Sequence, residues 1–181
     1  MNKYLIDQYK ILHATDSSYG PSNSARRDKK DIIDFFNKHS CKTVLDFGCG
    51  KGKLIEVLNN SGFECKGYDP ALPQFETFPS ESFDAVVCTD VLEHLDETLN
   101  DELKLILSVS PKCIYFNVAF DKARMLPDGK TPRHSLMKPP AWWLEKLQEF
   151  YSDYSIEEHH VAKGAAISVV IKLIKNLEKT S

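Results

Sequence analysis

The feature that most constrains the fold is a glycine-rich turn, D-F-G-C-G-K-G, at residues 46–52. It follows a short apolar, β-branched run at 43–46, which predicts a buried strand. It precedes a helical pattern over residues 53–60 that ends at Ser61 and Gly62. Glycine permits positive φ and places no side chain between the backbone and a ligand. The segment therefore predicts the strand–turn–helix unit of an α/β protein, with a ligand at the turn.

Three kinds of nucleotide-binding turn compete for this segment. A Walker loop, G-x-x-x-x-G-K-[ST], would place Phe47 at its first glycine and Leu54 at its hydroxyl position. A dinucleotide fingerprint, G-x-G-x-x-G/A, would place Lys53 where the helix must pack closely on the strand. What remains is an acid two residues before G-x-G-x-G, with Asp69 at the end of the next predicted strand. This combination suits a ligand that has an ammonium group and a ribose diol but no pyrophosphate.

Apolar runs alternate with helical patterns along the rest of the chain. We predict strands at 43–46, 63–68, 83–88, 113–118, 154–161 and 165–174, and helices at about 31–39, 53–60, 96–109 and from 142 onward. The last two strands, joined by Lys163 and Gly164, predict an antiparallel hairpin. The expected fold is α/β: a doubly wound, mostly parallel, Rossmann-like sheet with an antiparallel C-terminal hairpin, in a three-layer sandwich.

The length of 181 residues suits one domain that spans residues 1–181. A turn-rich stretch at 19–24 separates off an N-terminal arm, residues 1–30, which we expect to be a flexible cover or cap. A long loop at 121–140 follows the predicted strand at 113–118, where the strand ends of such a sheet face the substrate. We expect this loop to contact the substrate, because long loops in compact domains are usually functional.

The glycine turn resembles the first motif of the class I S-adenosylmethionine-dependent methyltransferases. The segment 83–94 resembles the fourth strand of that family and the turn after it, and the likeness is close over about residues 40–120. It implies S-adenosylmethionine as the cofactor, with Asp46 helping to anchor the methionine part. It also implies that Asp69 accepts hydrogen bonds from the ribose, since ionised carboxylates are acceptors only. The expected cofactor-binding residues are Asp46, Phe47, Gly48, Cys49, Gly50, Gly52, Asp69, Pro70, Asp90 and Val91.

One region departs from the family pattern. Between Asp69 and Phe83 the chain has too few residues for the usual helix and third strand. We therefore expect the third strand to be minimal, around residues 75–77, and assign the adenine contact to no particular acid.

Three residues are candidates for the chemistry: His134 in the long loop, and His94 and Glu93 after the predicted strand at 83–88. A hydroxyl acceptor must lose a proton on methylation, and histidine is the commonest general base. The loop motif at 126–129, His134 and the tryptophan pair at 142–143 resemble a group of small bacterial and phage methyltransferase-like proteins. One tryptophan of the pair could wall the pocket, although burial in the core is an equally reasonable expectation.

A less favoured alternative adds a divalent metal. Asp90-x-x-Glu93-His94, together with His134, resembles the glutamate and histidine ligands of the small-RNA 2′-O-methyltransferases and the related ubiquinone-pathway O-methyltransferases. Such an ion would bind adjacent hydroxyls and lower the pKa of one of them. Aspartate stands here where that pattern prefers glutamate.

Composition limits the classes of molecule that the protein is expected to bind. A net charge of -3 and scattered lysines disfavour a nucleic-acid partner, so we expect a small-molecule substrate. Five cysteines without a C-x-x-C pair, and no membrane-length apolar run, predict a cytoplasmic protein without a membrane partner. The sequence gives no indication of the oligomeric state.

The sequence therefore predicts methyl transfer from S-adenosylmethionine to a small polar acceptor, with a hydroxyl oxygen as the favoured atom. Three alternatives stay open: another enzyme that consumes S-adenosylmethionine, an RNA methyltransferase, and a catalytically inactive cofactor-binding protein.

Overall fold

A computed structural model describes residues 2–16, 28–120, 125–163 and 167–176. The elements are α1 (Lys3–Thr15), α2 (Lys29–Lys38), β1 (Thr43–Phe47), α3 (Lys53–Asn60), β2 (Glu64–Tyr68), β3 (Ala85–Thr89), a 3₁₀ turn (Leu92–His94), α4 (Leu99–Ser108), β4 (Cys113–Ala119), α5 (Pro140–Phe150), β5 (Tyr154–Lys163) and β6 (Ile167–Lys175). In the described ranges, no helix has the length and apolar character needed to cross a bilayer.

The six strands form one mixed sheet in the order β2-β1-β3-β4-β6-β5. The first four are parallel, and β6 runs antiparallel to both β4 and β5. The predicted doubly wound sheet with an antiparallel C-terminal hairpin is therefore confirmed. The junction predicted at Lys163 and Gly164 extends beyond the described residues, which stop at 163 and resume at 167.

Two apolar layers cover the sheet, because its central strands are apolar on both faces. The buried side chains of α2 and α3, such as Phe36 and Leu58, pack on one face. Those of α4 and α5, such as Leu103 and Trp143, pack on the other. The result is the expected three-layer sandwich, with the carboxyl ends of the parallel strands left free for a ligand.

The segment between β2 and β3 corrects one prediction. Residues 75–77, expected to be a minimal third strand, form no strand. The backbone folds back on itself instead: the amide of Asp69 donates to the carbonyl of Phe75 at 2.9 Å, and the amide of Phe75 donates to that of Leu72 at 2.8 Å. These bonds use backbone groups that a strand would need for pairing with β2.

The N-terminal arm is more regular than expected. Residues 3–15 form α1, which the side chain of Asn2 caps by accepting a hydrogen bond from the amide of Leu5 at 2.9 Å. The turn-rich stretch at 19–24 lies outside the described residues, as do 121–124 at the start of the long loop. The arm is thus helical over residues 3–15, and its expected flexibility stays a prediction.

The tryptophan pair divides between the core and its rim. Trp143 is 0% exposed in the core, whereas Trp142 is half-buried and meets it edge-on with ring centroids 5.0 Å apart. Of the two predicted roles, burial in the core is the one the structure gives to Trp143.

Replacing Trp143 by Ala should lower the free energy of unfolding by roughly 3–5 kcal/mol, because it removes a large, fully buried side chain. The matched variant Trp142→Ala, which truncates the half-buried neighbour, should cost about 1 kcal/mol. Urea denaturation of both variants measures the difference, and equal losses would contradict this account of the core.

Candidate functional site

A cleft opens at the carboxyl ends of β1, β2 and β3, and it encloses about 530 Å³, part of it open to solvent. Its walls come from the glycine turn, the segment after β2, the turn after β3, α4 and α1. The lining residues are Tyr9, His13, Phe47, Gly48, Tyr68, Asp69, Pro70, Ala71, Asp90, Val91, His94, Leu95 and Glu102.

Six of the ten residues predicted to bind the cofactor line this cleft: Phe47, Gly48, Asp69, Pro70, Asp90 and Val91. The other four, Asp46, Cys49, Gly50 and Gly52, belong to β1 and the glycine turn behind its wall. Cys49 is buried, and burial raises the pKa of its thiol well above the ordinary value. Its side chain therefore packs as a neutral thiol under the turn.

The glycine turn depends on glycine for its shape. Gly48, Gly50 and Gly52 have φ values of 77°, 52° and 75°, in the left-handed region. A Cβ on Gly48 would lie 2.3 Å from Cγ2 of Val91, so this position is also closed sterically. The amide of Gly48 donates to the carbonyl of Tyr68 at 2.7 Å, which fastens the turn to the end of β2.

Asp46 is a buried acid at the end of β1. It is 2% exposed, and within the described structure its Oδ2 has no hydrogen-bond partner. Burial, and then the nearby charge of Asp69, raise its pKa to about 8. A cationic ligand would relieve this cost, so the site fits the ammonium group of S-adenosylmethionine.

Asp69 follows β2 and is held at both carboxylate oxygens. Oδ2 accepts from the amide of Gly50 at 3.0 Å, and Oδ1 accepts from that of Ala71 at 2.9 Å. Each oxygen can accept a further bond, so the carboxylate still suits a ribose diol. The sequence predicted a ribose contact for Asp69. It did not predict its second role, which is to hold the glycine turn in place by accepting a hydrogen bond from Gly50.

His94 and Glu93 lie on the 3₁₀ turn after β3 and have different surroundings. His94 lines the cleft, and its Nδ1 lies 2.5 Å from the carbonyl oxygen of Arg133 and 2.9 Å from the hydroxyl of Tyr9. Burial lowers the pKa of His94 to about 4, so its ring is neutral near pH 7. Glu93 is 0% exposed and stands behind the cleft, where its Oε1 accepts from the amide of Ala119 at 3.1 Å.

The long loop brings His134 to the same place. Its ring meets that of His94 edge-on with centroids 4.9 Å apart, and it is half-buried beside the cleft. One potential ligand atom from each of Glu93, His94 and His134 lies within 4.8 Å of the others. The structure thus brings the three predicted catalytic residues together, close enough to hold one ion.

Several residues that line the cleft were not predicted from the sequence. Tyr9 and His13 come from α1, and their spacing of four residues puts both on one helix face. Burial lowers the pKa of His13, and the charges of Asp69 and Lys51 act on it in opposite directions. Glu102 had a usable signal, since it follows Leu99 by three residues and so interrupts the apolar face of α4.

Comparisons with known proteins agree with this geometry. A family model described as a methyltransferase domain matches residues 23–156. No curated protein matches the sequence significantly.

Three solved structures illustrate the likeness. A 1,6-didemethyltoxoflavin-N1-methyltransferase from Burkholderia thailandensis, with bound 1,6-didemethyltoxoflavin and S-adenosylhomocysteine, has a TM-score of 0.73 and 13% identity over 96% of this chain and 88% of its own. Mitomycin 7-O-methyltransferase has a TM-score of 0.61 and 13% identity over 91% of this chain and 60% of its own. A small RNA methyltransferase has a TM-score of 0.62 and 16% identity over 86% of this chain and 25% of its own. At these identities the likeness establishes the fold.

The buried Asp46 predicts an inverse dependence of stability on pH. Because its pKa is about 8 in the folded protein against an ordinary 3.8, the folded state binds the proton more tightly. This contribution to stability is present below about pH 4 and lost as the pH rises through about 8. Asp46→Asn without cofactor should therefore be more stable than the wild type at pH 8, on the order of 2–4 kcal/mol.

Urea denaturation at about pH 4 and pH 8 tests this, and the two proteins should converge at the lower pH. Asp84→Asn is a control of opposite sign. The ammonium of Lys112 holds the pKa of Asp84 at about 2, so removing that carboxylate should destabilise the protein at pH 8. Equal stability of Asp46→Asn and the wild type at pH 8 would contradict the burial cost.

Proposed function

The chain belongs to the methyltransferase-domain family, as a class I S-adenosylmethionine-dependent methyltransferase, and we propose that it methylates a hydroxyl oxygen of a small polar acceptor. The observation that carries the proposal is the neutral ring of His94 in the wall of the cleft, beside His134. A neutral imidazole nitrogen accepts the hydrogen of a hydroxyl, as oxygen methylation requires.

The cofactor supplies an activated methyl group, so the protein has to hold donor and acceptor in line. We assign the cofactor to the glycine turn, with Gly48, Gly50 and Gly52 allowing close approach of the backbone. Asp46, behind the cleft wall, attracts the ammonium group by its charge, and Asp69 accepts hydrogen bonds from the ribose hydroxyls. The other residues that we assign to the cofactor are Phe47, Cys49, Pro70, Asp90 and Val91. Correct positioning alone can lower such a barrier by ~7–11 kcal/mol.

On the acceptor side, His134 is our first candidate for the base. It lies on the long loop beside the cleft, where it could take the acceptor proton once the substrate is bound. With its low pKa, His94 is a poor proton carrier and a better hydrogen-bond acceptor that orients the hydroxyl. Glu93, which does not line the cleft, supports both by holding β4 against the 3₁₀ turn.

A small acceptor fits the surroundings better than a polymer. The helix α1 contributes to the wall of the cleft, and the chain carries a net charge of -3. The similar toxoflavin-precursor enzyme has a small molecule bound. Its methyl acceptor is a nitrogen by name, so oxygen rests on the histidines of this chain alone.

A second candidate function is metal-assisted O-methylation, which would extend to RNA. The convergence of Glu93, His94 and His134 within 4.8 Å favours it, as does the likeness to a small RNA methyltransferase. These residues would hold a divalent cation, which lowers the pKa of a bound hydroxyl. Turnover that a chelator abolishes and Mn²⁺ restores would favour this candidate over the metal-free one.

Replacing Asp69 by Ala should weaken S-adenosylhomocysteine binding by about a hundredfold or more, because two turn contacts and the ribose acceptor are lost together. Titration calorimetry on the whole chain measures the affinity. Glu76→Ala, which removes an exposed acid from the same segment, is the control and should bind like the wild type. Wild-type affinity in Asp69→Ala would refute the assignment.

A panel of small phenols, catechols, enols and N–H heterocycles, assayed by S-adenosylhomocysteine release, should yield turnover on hydroxyl compounds. With the best of these, His134→Gln should lower kcat by roughly 10²-fold, within the range of general-base catalysis. His159→Gln, at an exposed histidine of β5, should leave kcat unchanged.

Other outcomes separate the remaining alternatives. Turnover on nitrogen compounds alone would overturn the oxygen assignment. Products other than S-adenosylhomocysteine would indicate another cofactor-consuming reaction, and tight binding without turnover on small molecules or RNA would indicate an inactive cofactor-binding protein.

A further inference from the structure

The helix α1 closes one side of the cleft and is fastened at its middle and at its end. Midway along it, the side chain of Gln8 accepts a hydrogen bond from the amide of Asp128 at 3.0 Å, which joins the helix to the long loop. At its end, Nζ of Lys51 in the glycine turn donates to the carbonyl of Asp16 at 3.5 Å. The helix therefore bridges the cofactor side and the acceptor side of the site.

An apolar cluster holds the middle of α1 in place. Tyr9 and Leu12 are buried against Ala71, which follows β2, and Leu126, in the long loop. Tyr9 is 5% exposed, yet it also lines the cleft. Its ring is thus fixed by packing, while its hydroxyl faces the 3₁₀ turn that carries His94.

The hydroxyl of Tyr9 and a backbone carbonyl converge on one nitrogen of His94. Nδ1 lies 2.9 Å from the tyrosine oxygen and 2.5 Å from the carbonyl oxygen of Arg133, and the tyrosine oxygen lies 3.4 Å from that same carbonyl. The rings of Tyr9 and His94 meet edge-on with centroids 5.5 Å apart. The three groups form a closed triangle of hydrogen bonds.

The chemistry of the triangle fixes the position of a proton. A carbonyl oxygen can only accept, so a nitrogen 2.5 Å away from it must carry hydrogen. Nδ1 is therefore the N–H, shared between the carbonyl and the tyrosine oxygen, while the tyrosine O–H donates to the carbonyl. In the neutral ring the lone pair is then on Nε2.

We propose that Tyr9 is a positioning residue, which together with the carbonyl of Arg133 holds the His94 ring with its hydrogen on Nδ1, so that Nε2 offers its lone pair to the acceptor. The identity of that acceptor, a hydroxyl group, rests on the function proposed above. A methyl acceptor that donates its hydrogen to Nε2 is aligned by a ring that cannot turn over. The orientation of the acceptor then depends on α1, because Tyr9 reaches His94 only when this helix is docked.

The test uses full-length protein labelled with ¹⁵N-histidine, bound to S-adenosylhomocysteine, in which NMR reports the protonated nitrogen of each ring. His94→Gln identifies the signal of His94. In the wild type, His94 should show one set of resonances, with hydrogen on Nδ1 and none on Nε2. In Tyr9→Phe, a second tautomer or exchange broadening should appear, because the ring loses one side of the triangle.

Tyr4→Phe is the matched control, since it removes one hydroxyl from the same helix. The hydroxyl of Tyr4 binds Asp128 at an exposed position away from the cleft lining. It should therefore leave the His94 spectrum unchanged. With the best acceptor of the panel, Tyr9→Phe should lower kcat about tenfold, and change the KM for S-adenosylmethionine by less than about twofold.

Hydrogen on Nε2 in the wild type, or a Tyr9→Phe spectrum identical to the wild type, would overturn the proposal. Neither result depends on the identity of the acceptor. Failure of the proposed function shows elsewhere, as absent binding of S-adenosylhomocysteine or turnover confined to N–H compounds.

Discussion

The burial of a carboxylate at the end of the central strand is the constraint on which the rest of the site depends. Asp46 stands on β1, between two parallel neighbours, where water cannot solvate it. Folding the chain without a ligand therefore requires either protonation of this acid or a large desolvation cost. The glycine turn, Asp69 and α1 are arranged around this buried acid, whose charged form a cation would stabilise.

This cost connects stability with function in a direct way. Asp46 weakens the ligand-free protein, and in the proposed function the ammonium group of the cofactor stabilises its charged form. Ligand binding of this kind stabilises the folded state by mass action. Asp84, which is also an aspartate beside the parallel strands, shows the contrast, since a lysine and two backbone amides satisfy it without any ligand.

Local sequence determined most of the fold and the cofactor half of the site. The glycine turn and the apolar runs are short-range patterns, so the sheet, its hairpin and the position of Asp69 could be predicted from them. The conformation of residues 75–77 could not be predicted in this way, because it depends on backbone hydrogen bonds with Asp69 and Leu72 that leave no apolar pattern in the sequence. The roles of Tyr9 and His13 were also missed, since docking of α1 depends on contacts with residues far along the chain. Trp143 was ambiguous because its burial depends on the packing of α5 against the sheet.

Because residues 75–77 form no strand, β2 is the edge of the sheet in the described part of the chain, next to the residues that we assign to the cofactor. An edge strand exposes backbone donors and acceptors that can pair with a strand of another molecule and start aggregation. Here the side chain of Asn59 accepts a hydrogen bond from the amide of Cys65 at 2.8 Å, so this backbone donor is not free to pair. Lys66, which forms an ion pair with Glu81, places charge along the same edge. The strand is only five residues long. Side chains thus protect this edge against intermolecular pairing where larger sheets use another strand, and the cleft at the carboxyl ends of the strands needs no further strand beside β2.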